Sequence, residues 1–84
     1  MLDQTIYYSV IGYGRTKQSP SGLVRRRPGR NGTIDEALQR DLTWVPSSAI
    51  VQWEGGDVGA ALIEISQEEA EALIERFRQK WGAG

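Results

Sequence analysis

The 84-residue chain contains neither cysteine nor histidine. The first absence excludes a disulfide framework and thiol chemistry. The second removes the commonest general base and the commonest transition-metal ligand. Zinc sites built from carboxylates alone are unusual, so neither a metal nor a cofactor is expected. Long apolar runs are missing as well. The opening stretch "MLDQTIYYSVIGYG" has no basic segment ahead of its apolar run, and Tyr7, Tyr8 and Ser9 interrupt that run. No signal peptide and no membrane span is read from it, and a cytoplasmic protein is the simplest expectation. A large excess of either charge is also lacking, since the net charge is −1.

What is present suits one small folded domain covering residues 1–84. A chain of this size buries roughly 60% of the surface it exposes when unfolded, which leaves little room for a deep internal pocket. Three tryptophans and a moderate apolar fraction argue for a globular chain rather than a disordered one. The charge is unevenly placed: residues 1–40 sum to +4 and residues 41–84 to −5. Such asymmetry signals either an interaction face or two oppositely charged faces meeting within one fold.

Residues 5–13, "TIYYSVIGY", are β-branched and aromatic on both alternating sets, Ile6, Tyr8 and Val10 against Tyr7, Ile11 and Tyr13. That pattern predicts a central strand covered at least in part on both faces. A Gly/Ser/Pro turn cluster follows, and "GLVRRRP" reads as the second arm of a hairpin, ended by Pro28. On a regular strand Leu23, Arg25 and Arg27 share one face and Val24 and Arg26 the other, so the three arginines cannot all point the same way. "PGRNGTI" reads as a flexible loop. "DEALQRDLTWVP" is read as two short strands with a turn at Arg40–Asp41, because Thr43, Trp44 and Val45 favour extended structure and Pro46 ends it; a short helix is the alternative. "SSAIVQWEGG" predicts a short helix over about 48–54, capped by Ser47 or Ser48 and stopped by Gly55–Gly56, with a strand at 49–53 left open.

The last third is the most explicit. "ALIEIS" alternates, with Ala61, Ile63 and Ile65 on one face. Ser66 and Glu69 form a capping box. Glu68, Glu69 and Glu71 stand at the positive start of the following helix, and Arg76, Arg78 and Lys80 at its negative end. Ala70, Leu73, Ile74, Phe77 and Trp81 recur at helical spacing, and Gly82 closes the element. Burying Leu73, Ile74 and Phe77 contributes about 1.5–3 kcal/mol each before entropy is counted. The expected fold is α+β: an antiparallel sheet of four or five short strands, one C-terminal amphipathic helix packed on it, and a short helix near 48–54.

The segments "YYSVIGYG…SGLVRRR", "TWVPSSAIVQWEGGD" and "LIEISQEEAEALIERFRQKWG" together resemble small uncharacterised proteins common in actinobacteria. Trp44-x-Pro46 and the Ile65-Ser66 helix start carry most of that resemblance. It implies a small bacterial single-domain α+β protein and implies no activity.

The candidate chemistry centres on one basic segment. Arg15, Lys17, Arg25, Arg26, Arg27 and Arg30 flank a hairpin whose other arm bears Tyr7, Tyr8 and Tyr13. Arginines on phosphates beside aromatic faces that stack on bases are what nucleic-acid binding requires. Six neutralised phosphates would give a log–log salt slope of roughly −5 on duplex DNA. Against this, the chain as a whole is slightly acidic, whereas nucleic-acid-binding domains carry a basic excess. The alternatives are a solvated edge strand whose arginines block edge-to-edge association, and arginines that meet acidic residues of the C-terminal helix. "GYGRTKQSPSG" fails as a phosphate loop, because Lys17 is followed by Gln18 rather than a hydroxyl residue opening a helix. Asp35, Glu36, Asp41, Glu54, Asp57 and Glu64 show no spacing that singles out a catalytic pair, and "EGGDVG" lacks the ligand run of a calcium loop. A sheet covered on one side leaves its other face for a partner, so homodimerisation through that face is a further expectation. The expected function is a non-catalytic interaction module acting through protein contacts or self-association, with polyanion binding as the alternative.

Overall fold

A computed structural model describes residues 4–12, 20–56 and 61–81. Five strands form one sheet: β1 (Ile6–Ile11), β2 (Gly22–Gly29), β3 (Gly32–Leu38), β4 (Trp44–Pro46) and β5 (Ala61–Ile65). Helix α1 (Ala49–Glu54) joins β4 to β5, and α2 (Gln67–Trp81) follows β5. The strand order is β4-β3-β2-β1-β5 and every neighbouring pair is antiparallel. The α+β architecture therefore stands as expected, with the short helix, not the strand, at 49–54.

Both faces of the sheet carry an apolar cluster, which is why β1 has apolar residues on both alternating sets. On one face Leu23 and Ile65 meet Ala70, Leu73 and Phe77 of α2, joined by half-buried Tyr7, Leu38, Trp44, Ile74 and Trp81. On the other, Val24 and Leu62 meet Ile50 of α1, joined by Tyr8, Val10 and Ala37. The face expected to lie open is thus covered along its middle by α1. Ile50 is the only buried residue of that helix. The alternation expected for "ALIEI" holds, with Ala61, Ile63 and Ile65 on the α2 face, but only Ile65 of the three is buried; Ile63 is 40% exposed, while Leu62 is buried on the opposite face. The reason is that β5 is an edge strand needed by both layers, so each face keeps one of its side chains.

Two local readings need correction. Pro28 does not end β2, and "PGRNGTI" is not a loop. β2 runs on through Pro28, paired with Thr33, to Gly29, paired with Gly32. The chain reverses at Arg30–Asn31 alone, and the left-handed step falls on Gly32 at φ 139°, where lack of a Cβ removes the strain. β1 pairs with β2 only as far as Arg26. Pro28 therefore sits where β2 has a strand on one side only, the setting in which a sheet tolerates proline.

The helix starts follow the chemistry of their caps. The Ser66 hydroxyl accepts from the Glu69 amide at 3.0 Å, and the Glu69 carboxylate accepts from the Ser66 amide at 3.1 Å. This is the expected capping box. Ser66→Ala is expected to cost about 1 kcal/mol, read from the urea midpoint with an unchanged slope. At α1 the Ser47 hydroxyl accepts from the Ala49 amide at 3.1 Å, while Ser48 accepts from the Gln52 side chain. Gly56, at φ 88°, ends that helix. Gly82 lies outside the described residues.

Candidate functional site

The register of the β2–β3 hairpin decides the fate of the arginines. It sets Arg25 opposite Glu36, Arg26 opposite Asp35 and Arg27 opposite Ile34. Because side chains alternate across the sheet, Arg25, Arg27 and Glu36 share the α2 face, and Arg26 and Asp35 share the α1 face.

On the α2 face a single carboxylate holds two guanidinium groups. Arg25 Nε donates to Glu36 Oε1 at 2.9 Å, and Arg27 Nε donates to the same oxygen at 2.8 Å. Arg27 Nη2 reaches Oε2 at 3.3 Å. The Arg25 guanidinium also lies 4.0 Å over the Trp44 ring, a desolvated stacking position that suits a planar cation. Tyr7, the cross-strand partner of Arg25, packs its ring 6.2 Å from that of Trp44. Glu36 is buried at 8% exposure, so its charge depends on these partners.

On the α1 face Arg26 bridges two carboxylates. Its Nε and Nη2 donate to Asp35 at 2.8 and 3.0 Å, and its Nη1 and Nη2 donate to Glu54 at 3.1 and 3.0 Å. Both contacts are bidentate, the strongest form of such a pair. Glu54 is the last residue of α1. Arg26 therefore ties the end of this short helix to the sheet, while Ile50 holds its beginning.

The electrostatics follow from the geometry. Hydrogen bonds donated to Asp35 and then to Glu54 raise the Arg26 guanidinium above its ordinary value, and the bonds donated to Glu36 do the same for Arg27. Arg27 first, with Arg25 beside it, holds the Glu36 carboxyl below its ordinary value of 4.5. Hydrogen bonds from Thr43 lower Asp41. Burial, reinforced by Glu64, pushes the Tyr8 hydroxyl up. A carboxylate with a depressed folded-state value contributes stability that is complete above its unfolded value and lost as pH falls through the folded one. A urea series at successive pH values is expected to show stability falling as acid is added below about pH 4.5, and this part of the fall is expected to disappear in Glu36→Gln.

Among the sequence-predicted site residues, Arg25, Arg26 and Arg27 are thus held in a charge-balanced ladder with Asp35, Glu36 and Glu54. Their partners are on β3 and α1, not on the C-terminal helix as one alternative expected; the hairpin register places the β3 acids directly opposite. Arg30 occupies the exposed hairpin tip. Arg15 and Lys17, like Tyr13 and Asp57, lie outside the described residues.

Two other surfaces remain. An open groove of about 960 Å³ runs between the end of β3 and the last turn of α2, with Arg40, Lys80 and Trp81 among its lining residues. Phe77 stacks on Trp81 there at 4.4 Å between ring centroids. The second surface is apolar. Val51 and Trp53 of α1 are 58% and 37% exposed; Ile63 of β5 is exposed too, but on the opposite, α2 face of the sheet. The Trp53 ring rests against Tyr8 at 6.0 Å, so it is held in place while partly exposed. Ile50 and Trp53 stand three apart on one face of the helix, yet only Ile50 is buried.

Among the described residues no group of three or more acidic side chains is arranged to hold a metal ion, and no helix is long and apolar enough to cross a membrane. No family model, no curated protein and no solved structure matches the chain.

Proposed function

We propose that this chain is a non-catalytic cytoplasmic interaction module that works through apolar protein–protein contacts, self-association included. One observation carries this reading: the arginines best placed to act on a ligand already hold carboxylates within the fold, whereas Val51, Trp53 and Ile63 stand exposed. Large apolar side chains displayed from ordered elements favour a protein partner, aromatic anchors above all. Polyanion binding has less support, because a phosphate reaching Arg25, Arg26 or Arg27 must displace Glu36, Asp35 or Glu54. The exchange of one anion for another gives little net gain.

The test is retention of protein from an extract of the source cells on the immobilised chain at low and high salt. Retention is expected to survive salt, to fall at least tenfold in Val51→Asp/Trp53→Ser, and to persist in Arg30→Ala. Oligonucleotide binding that weakens steeply with salt and is lost on removal of the arginines would support the polyanion alternative instead.

A further inference from the structure

The two edges of the sheet are unlike. β4 is three residues long and ends in Pro46, and both features discourage pairing with another strand. β5 is the opposite edge, five residues long, "ALIEI", paired on one side with β1. It contains no proline and no lysine or arginine, and among the described residues no strand borders its outer side. Its Ala61 and Ile63 are exposed on the face that α2 leaves uncovered at this edge. The devices by which sheets blunt an edge are thus present on β4 and nearly absent from β5, where Glu64 is the only charge.

We infer that β5 is a self-pairing edge, joining two copies of this chain through an antiparallel β5–β5 seam into a ten-stranded sheet. This deepens the proposed function and rests on it. Antiparallel neighbours directly opposite each other project to the same face. A two-fold axis at Ile63 sets Ile63 against Ile63 of the second copy, Ala61 against Ile65, and Leu62 against Glu64. All five residues find a partner, a small side chain faces a large one, and no two carboxylates are opposed. Moving the axis to Glu64 would oppose two like charges, which destabilises a strand pair. Moving it to Leu62 would leave Ile65 with no residue of β5 opposite it. With β4 blocked, pairing uses one edge per copy and closes as a two-fold dimer instead of continuing as a fibre. A seam of this length is small, so the dimer is reversible and populated at roughly 10–100 µM protein.

Sedimentation velocity on the full chain over that range reads the association. The wild type is expected to shift from monomer to dimer, and Ile63→Lys to remain monomeric with an unchanged melting temperature, since Ile63 is exposed. Trp53→Ser is expected to dimerise as the wild type does. The absence of cysteine allows the register to be read separately. Ile63→Cys is expected to give a disulfide-linked dimer on mild oxidation. In Ala61→Cys the two thiols lie four residues apart along the seam, about 13 Å, beyond disulfide reach, so no cross-link is expected. A wild type that stays monomeric, a dimer indifferent to Ile63→Lys, or cross-linking at 61 as readily as at 63 overturns the β5 seam. The first of these leaves the interaction module standing if retention through Val51 and Trp53 is found, and that reading falls on its own if retention is unaffected by Val51→Asp/Trp53→Ser.

Discussion

Glu36→Ala is expected to lower the unfolding free energy by about 2–3 kcal/mol. Its carboxylate is the common acceptor for Arg25 and Arg27, and truncation leaves two guanidinium groups side by side with nothing between them. Breaking a fully buried pair by removing one partner costs about 3–5 kcal/mol; the lower figure reflects the access to water that both arginines keep. For a chain of this size the loss corresponds to a fall in melting temperature of roughly 10–20 °C. Glu36→Gln retains an acceptor of the same shape and is expected to fall less. A change in Glu36→Ala below about 0.5 kcal/mol, the size ordinary for a surface position, would show that the ladder does not support the fold.

The second large effect concerns α1. Ile50→Ala is expected to cost about 2–4 kcal/mol, the range for truncating a buried aliphatic side chain. Ile50 is 1% exposed and is the one buried side chain of the six-residue helix. A helix this short has no stability of its own. Its attachment rests on Ile50 near one end, and on Trp53 against Tyr8 and the Arg26–Glu54 contact toward the other. Amide exchange is the discriminating measurement. In Ile50→Ala residues 49–54 are expected to lose protection beyond the global change, whereas α2, packed on the other face through Leu73 and Phe77, is expected to keep its protection relative to the rest. Equal loss in both helices would contradict the picture of two layers on opposite faces of the sheet.

How much of this was legible in the sequence varied with the range of the interaction. The C-terminal helix is encoded locally: Ser66 and Glu69 cap it, the charges suit its dipole, and Leu73 and Phe77 fall on one stripe. The turn between β3 and β4 was legible for the same reason. The arginine ladder was not, because its meaning depends on a register. Once the chain reverses at Arg30–Asn31, Arg25 and Arg26 fall opposite Glu36 and Asp35. The signal was the Asn31-Gly32 dipeptide, a strong mark of a tight hairpin, which the reading of Pro28 as a strand end obscured. Proline excludes a strand only where both sides are bordered, and strand order is a tertiary property. The exposure of Ile63 was hidden likewise, since alternation in "ALIEI" fixes which residues share a face but not how far α2 reaches across it.

The measurement that bears most directly on the role of the arginines is a double-mutant cycle of Arg26→Ala and Asp35→Ala, followed by urea unfolding. If these side chains serve the fold, the sum of the two single losses exceeds the loss in the double variant by a coupling of about 1–2 kcal/mol, within the range for residues in one ion-pair network. Additivity within about 0.3–0.5 kcal/mol would contradict that role, and would return the basic hairpin to consideration as a surface held ready for a polyanion.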